Sequence, residues 1–116
     1  MIHEITDESF DAEVAQSEVP CVLTFSAGWC TMCDEMAPAL EALSESLGSA
    51  IKVCRINIDE QRGLRIKFAV AAIPYIVYVA NGTKTPLFDG LTTAERLEER
   101  VRFMLDGGEA PTTMPL

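Results

Sequence analysis

Two cysteines, Cys30 and Cys33, stand two residues apart in the stretch Trp29-Cys30-Thr31-Met32-Cys33. On a helix that spacing sets the side chains one turn apart, close enough for their sulfurs to meet. A helical pattern that includes Pro38 starts here, directly after the apolar run Pro20 to Phe25. The first cysteine therefore falls at a helix N-terminus, where free N–H groups and the helix dipole favour a thiolate. The chemistry on offer is a dithiol that exchanges its electrons for a disulfide. Alone, the spacing is a weak signal, because it also reads as half of a zinc site.

The elements around the pair follow from hydrophobic period and turn residues. Residues 1–6 suit a short edge strand. Thr6 or Asp7 is placed to cap a helix running to about Gln16, with Phe10 and Val14 facing inward. Pro20 to Ser26 reads as a buried parallel strand, broken by Ala27-Gly28. The helix after the cysteines carries Met36, Leu40, Leu43 and Leu47 on one stripe, should kink at Pro38, and meets a stop at Gly48. Ile51 to Asp59 is the next strand and Glu60 to Phe68 a short helix interrupted by Gly63. Tyr75 to Val79 is strongly β-prone, Asn81-Gly82 is a hairpin turn, and Pro86 suits an edge strand. Thr92 or Thr93 opens a last helix with Leu97, Val101, Met104 and Leu105 inward. The order β-α-β-α-β-α-β-β-α predicts an α/β fold: a central mixed sheet of about five strands with helices on both faces. Residues 1–106 form one domain; 107–116, rich in Gly, Pro and Thr, is expected to be a flexible tail.

Composition narrows the classes. The 116 residues suffice for one compact domain, and 48% hydrophobic with 23% charged residues is globular usage. A net charge of −9 argues against nucleic acid, and no apolar run is long enough to span a membrane. The opening Met1-Ile2-His3-Glu4 has no basic or apolar leader character, so a cytoplasmic protein is expected, although a cleaved leader replaced by a start methionine would leave the same sequence. Four cysteines are too few for a disulfide scaffold of this length; near a βαβ pattern in a reducing compartment, a C-x-x-C reads as redox chemistry.

The chain resembles thioredoxin from Ile2 to about Leu105. The likeness rests on Ile2-His3, Thr6-Asp7 and Ser9-Phe10-Asp11, on Trp29-Cys30 and Cys33 with Pro38 five residues later, on Asn57-Ile58-Asp59, Ile73-Pro74, the Asn81-Gly82 turn and Gly90. It implies a thiol–disulfide oxidoreductase that reduces disulfides in partner proteins. Cys30 is then similar to the exposed attacking cysteine and Cys33 to the buried resolving one. Ile73-Pro74 matches a cis-proline peptide that pairs with an extended substrate segment, beside Trp29 and the apolar Met32. No bound cofactor is implied; the electrons would come from an NADPH-linked, thioredoxin reductase-like partner to a protein expected to be a monomer.

The departures are specific. Thr31-Met32 replaces the family's Gly-Pro, removing a stiffener of the first helical turn, and a potential shifted upward is expected. Thr24 stands where the family carries a buried aspartate that helps deprotonate the resolving cysteine, and Arg55 where it carries a lysine. Asp34 and Glu35 follow Cys33 at a commonly basic position; acids suit a helix first turn, and they would also raise the Cys30 pKa and repel acidic partners. Asp89 precedes Gly90 on the expected docking surface.

Other residues have plainer readings. Cys21 and Cys54 fall on neighbouring strands and read as core packing rather than a second redox pair. His3 has no neighbour at ligand spacing, Met36 and Met104 are core filler, and residues 95–99 form a solvated helix face. Three rivals remain: metal or iron–sulfur binding through Cys30 and Cys33, a docking module whose disulfide is seldom used, and an oxidase- or isomerase-like variant. One C-x-x-C without a nearby histidine argues against the first.

Overall fold

The structure, a computed structural model, describes residues 1–116. The run Cys21–Ser26 forms strand β2, buried at all six positions. Such a strand needs apolar side chains on both faces, because both faces are covered. Beside it lie β3 (Lys52–Asn57), parallel, and β4 (Tyr75–Ala80), antiparallel. β1 (Ile2–Glu4) pairs parallel with β3 as the outer strand, and β5 (Thr83–Asp89) pairs antiparallel with β4. A sixth strand, β6 (Met114–Pro115), completes the order β1-β3-β2-β4-β5-β6.

Strand alternation sorts the core into two layers. Leu23, Phe25, Ile56, Val77 and Val79 point to the face covered by Phe10, Val14, Leu64 and Phe68. Val22, Val53, Ile76 and Tyr78 point to the opposite face, covered by Met36, Leu40 and Leu43 of helix α1 (Thr31–Leu47) and Leu97 and Val101 of α3 (Ala94–Leu105). Cys21 and Cys54 share the first face, both with no exposed surface and both free, in keeping with core packing.

The turns carry the expected chemistry. Asn81 and Gly82 both take positive φ (53° and 74°), the requirement of a tight hairpin between β4 and β5. Thr93 caps α3, its Oγ1 accepting from Arg96 N–H at 3.1 Å. α1 continues as one helix across Pro38. Pro86 lies beyond the two β5 residues that meet β6, and a register shift separates its pairing from that of Phe88, so its missing N–H breaks no regular ladder.

Three expectations are corrected. The first helix is only a single π-helical turn, Asp11–Ala15. No side chain caps it: Thr6 and Ser9 bond each other in the turn before it, each backbone N–H donating to the other's hydroxyl at 2.9 and 3.0 Å. Asp7 instead reaches across the chain to helix α2 (Arg62–Lys67), accepting from Gly63 N–H at 3.1 Å and Leu64 N–H at 2.8 Å. Gly63 therefore lies inside the first turn of α2 rather than interrupting it. Finally, the tail of residues 107–116 is not loose. β6 pairs with Thr83 and Lys84, the Thr113 and Thr85 hydroxyls share a hydrogen bond at 2.7 Å, and Leu116 packs on the first core layer. The sheet gains its sixth strand this way.

Candidate functional site

β2 ends at Ser26, and its direction aims the chain at the start of α1. Ala27-Gly28 turns it, with Cys30 N–H donating to Ala27 C=O at 3.1 Å. Cys30 is then the N-cap of α1, in extended conformation, and its Sγ accepts from Cys33 N–H at 3.1 Å. A thiolate at this atom receives one of the helix's free N–H donors and sits at the positive end of the dipole. Cys30 and Cys33 are joined as a disulfide with Cα atoms 5.2 Å apart.

Cys30 is 5% exposed and Cys33 9%, so Cys30 is not the openly exposed member that the resemblance implied. The exposed surface belongs to its neighbours: Trp29 at 69% and Met32 at 42%. Thr31 is also exposed.

The Ile73–Pro74 peptide is cis. Ile73 is half-buried against the core layer that holds Cys30 and Cys33. Pro74 C=O accepts from Gly90 N–H at 2.8 Å, where Gly90 takes a φ of 104° that favours glycine. The loop that presents Ile73 is thereby tied to the end of β5. There Tyr75 stands opposite Asp89; burial first, and then that carboxylate, push its phenol pKa up.

Behind Cys33 a cleft of about 500 Å³ is lined by Thr24, Ser26, Asp34, Arg55, Asn57 and Glu60, among others. Thr24 is 2% exposed and its Oγ1 has no hydrogen-bond partner. Arg55, at the same cleft, is ion-paired with Glu4, its strand neighbour on β1. The structure thus brings Thr24, Arg55 and Cys33 to one cleft, and Trp29, Met32, Ile73 and Pro74 to the ground around Cys30.

Two groups escaped the sequence reading. Asp59 Oδ2 accepts from Trp29 Nε1 at 2.8 Å, and its own N–H donates to Asn57 Oδ1 at 2.9 Å. The Asn57-Ile58-Asp59 spacing was the available signal, as an Asx turn. A second cavity, about 270 Å³, lies beside Trp29 and is lined by Ile58, Arg65, Val70, Ala71, Ala72 and Ile73. Its residues come from separate segments, and no local pattern marks it. No three His, Cys, Asp or Glu side chains gather as a metal-binding group.

The family model for thioredoxin matches residues 1–102. The chain belongs to the thioredoxin family. It is 34% identical to a thioredoxin of Rickettsia bellii, over 85% of this chain and 94% of that one. It is 31% identical to the chloroplastic thioredoxin Y of Oryza sativa subsp. japonica, over 87% of this chain and 60% of that one. A crystal structure of chloroplastic thioredoxin z superposes with a TM-score of 0.80 over 92% of this chain and 96% of that one; at 24% identity this supports the thioredoxin fold.

As a thioredoxin the protein is a thiol–disulfide oxidoreductase, and a Cys30–Cys33 pair at disulfide distance fits its redox dithiol. Thioredoxin chemistry runs on the protein's own thiols and needs no bound cofactor; disulfide-containing proteins and a reductase are its general partners. Thr24 lies at the Cys33 cleft, and Thr31-Met32 fills the first turn between the two cysteines.

Proposed function

We propose that Cys30 is the attacking nucleophile and Cys33 the resolving thiol of a protein-disulfide reductase. The observation that carries this is the cap: Cys30 Sγ, and not Cys33 Sγ, accepts a backbone N–H at the start of α1. A thiolate at Cys30 attacks one sulfur of a partner's disulfide. A Cys30–partner bond forms, and the partner's other sulfur leaves as a thiolate that takes up a proton. Cys33 then loses its proton and attacks Cys30 Sγ. The Cys30–Cys33 disulfide forms as the second partner thiolate departs and is protonated. The partner gains two electrons and two protons, and the dithiol loses them.

Trp29, Met32, Ile73 and Pro74 form the substrate surface, where the backbone of Ile73, next to the cis bond, is suited to pair with an extended segment. Thr24, Arg55 and Thr31 play supporting roles. The Thr24 hydroxyl cannot act as a base near neutral pH, so the Cys33 proton passes to water in the cleft. An NADPH-linked, thioredoxin reductase-like protein restores the dithiol of a monomer working in the cytoplasm.

The test is Cys33→Ser. This variant should accumulate proteins as mixed disulfides on Cys30 in cells, released by dithiothreitol. Mixed disulfides that form equally on a Cys30→Ser variant, or on neither, would overturn the assignment.

A further inference from the structure

Helix α1, which carries Cys33, and helix α2, whose Arg65 lines the cavity beside Trp29, carry opposite charge. α1 holds Asp34, Glu35, Glu41 and Glu45 and no basic residue. α2 holds Arg62, Arg65 and Lys67 and no acidic one. The openings beside the pair repeat the division. The Cys33-side cleft is lined by Asp34 and Glu60, and its one cation, Arg55, is paired with the Glu4 that also lines it. Arg65 is the only charged residue that lines the Trp29-side cavity, where the Asp59 carboxylate holds the Trp29 indole.

Arg62 and Arg65 are exposed and make no ion pair or side-chain hydrogen bond, although the chain has 18 acidic residues against 9 Lys and Arg. Lys52, Arg55 and Arg102 do find carboxylates. With Ile66, 74% exposed, the two arginines form an i, i+3, i+4 stripe on α2. Arginine, tryptophan and exposed aliphatic surface together are the composition of interface centres. Unpaired arginines there gain most from carboxylates brought by a partner, and the opposite field over α1 repels the same carboxylates.

We propose that the Trp29-side cavity and the Arg62–Arg65–Ile66 stripe select partner segments that place an apolar side chain and acidic residues beside the disulfide to be reduced. The apolar side chain fills the cavity between Trp29 and Ile73, and the carboxylates meet Arg65 and Arg62. The α1 side disfavours acids, so the segment lies across the site in one orientation. This rests on the reading of Cys30 as the atom that meets the partner's disulfide.

The test uses cyclic disulfide peptides of one sequence, flanked by Leu and either Glu or Lys, reduced in a single turnover by pre-reduced protein. At about 20 mM salt the Glu peptide should react about tenfold faster, and the ratio should fall toward one at about 0.5 M. Arg62→Glu/Arg65→Glu, with its fold checked by circular dichroism, should reverse the preference; Arg65→Lys should keep it. Equal rates, a preference for Lys, or a Glu preference that survives the double charge reversal would overturn the proposal. Reduction of hydroxyethyl disulfide by the unaltered protein is read separately: its failure would count against Cys30 and Cys33 as the redox pair, not against the stripe.

Discussion

Trp29 Nε1 donates to Asp59 Oδ2 at 2.8 Å across 30 residues of chain, and this bond holds a ring that is 69% exposed. The indole is large, flat and mostly in water, so packing alone fixes little of it. Its position beside Cys30 and over the Arg65 cavity depends on the carboxylate of Asp59, whose backbone N–H is held by Asn57 in an Asx turn.

Asp59→Ala should therefore free the indole and lower kcat/KM for a protein disulfide by about two- to tenfold, the worth of one partly exposed hydrogen bond. Trp29 is the only tryptophan, so fluorescence anisotropy reports on it alone. Anisotropy should fall in Asp59→Ala and largely recover in Asp59→Asn. Unchanged anisotropy would show the ring to be fixed by other contacts.

Thr24 has a buried hydroxyl without a partner, at a position where an acid would face Cys33 across the cleft. Thr24→Val should be neutral or stabilising by up to about 1 kcal/mol in urea unfolding, since an unpaired polar atom is removed. Thr24→Asp should speed the resolving step by offering a proton acceptor, at a cost in stability. A large loss of stability in Thr24→Val would mean that the hydroxyl is well satisfied; an unchanged rate in Thr24→Asp would mean that proton removal does not limit exchange.

Asp7 caps α2 from a distant segment. Asp7→Ala should cost about 1 kcal/mol, the usual worth of a cap. It should also loosen Arg65 and Ile66, seen as faster amide exchange through residues 62–67. Protection that is unchanged there would remove Asp7 from any role in holding the basic helix.

Cys21 and Cys54 are fully buried side by side, and their thiols influence each other. The Cys54 thiol, then the Ser17 hydroxyl and the Lys52 ammonium, lower the Cys21 pKa to about 7 against the opposing effect of burial, while its neighbour and burial push Cys54 far up. For Cys21 the folded value lies below the unfolded one of about 8.5. Its contribution is fully present above about pH 8.5 and is lost as pH falls through about 7. Cys54 works in the opposite sense, contributing below about pH 8.5 and losing that contribution as pH rises further. Stability in a Cys30→Ser/Cys33→Ser background should thus peak near pH 8.5, and Cys54→Ala should flatten the rise below the peak. In the native reduced protein only Cys30 and Cys33 should react with a bulky thiol reagent, and all four cysteines should react in denaturant. Rapid native labelling of four would contradict the burial.

Much of this was legible in the chain, for local reasons. The Pro20 to Ser26 run, the cysteine spacing, Ile73-Pro74, Asn81-Gly82 and the Thr93 cap are short patterns whose physics acts within a few residues. What escaped depends on long-range meetings. Asp7 looks like a local cap but serves a helix 57 residues away. The polar tail looks loose because Thr113 and Leu116 show no period, yet Thr85 and the first core layer give them partners. The Trp29 cavity and the low exposure of Cys30 come from loops that only the fold assembles.

That Cys30 and Cys33 interconvert as a two-electron dithiol–disulfide couple is tested most directly by equilibrating the protein with buffers of defined dithiol/disulfide ratio and counting thiols by alkylation and mass. The prediction is a single transition in which two thiols disappear and a Cys30–Cys33 peptide appears, with a potential above about −270 mV because Thr31-Met32 replaces the stiffer pair. A two-thiol transition at or below that value would reject the upward shift alone. Four free thiols at every ratio would contradict the redox function itself.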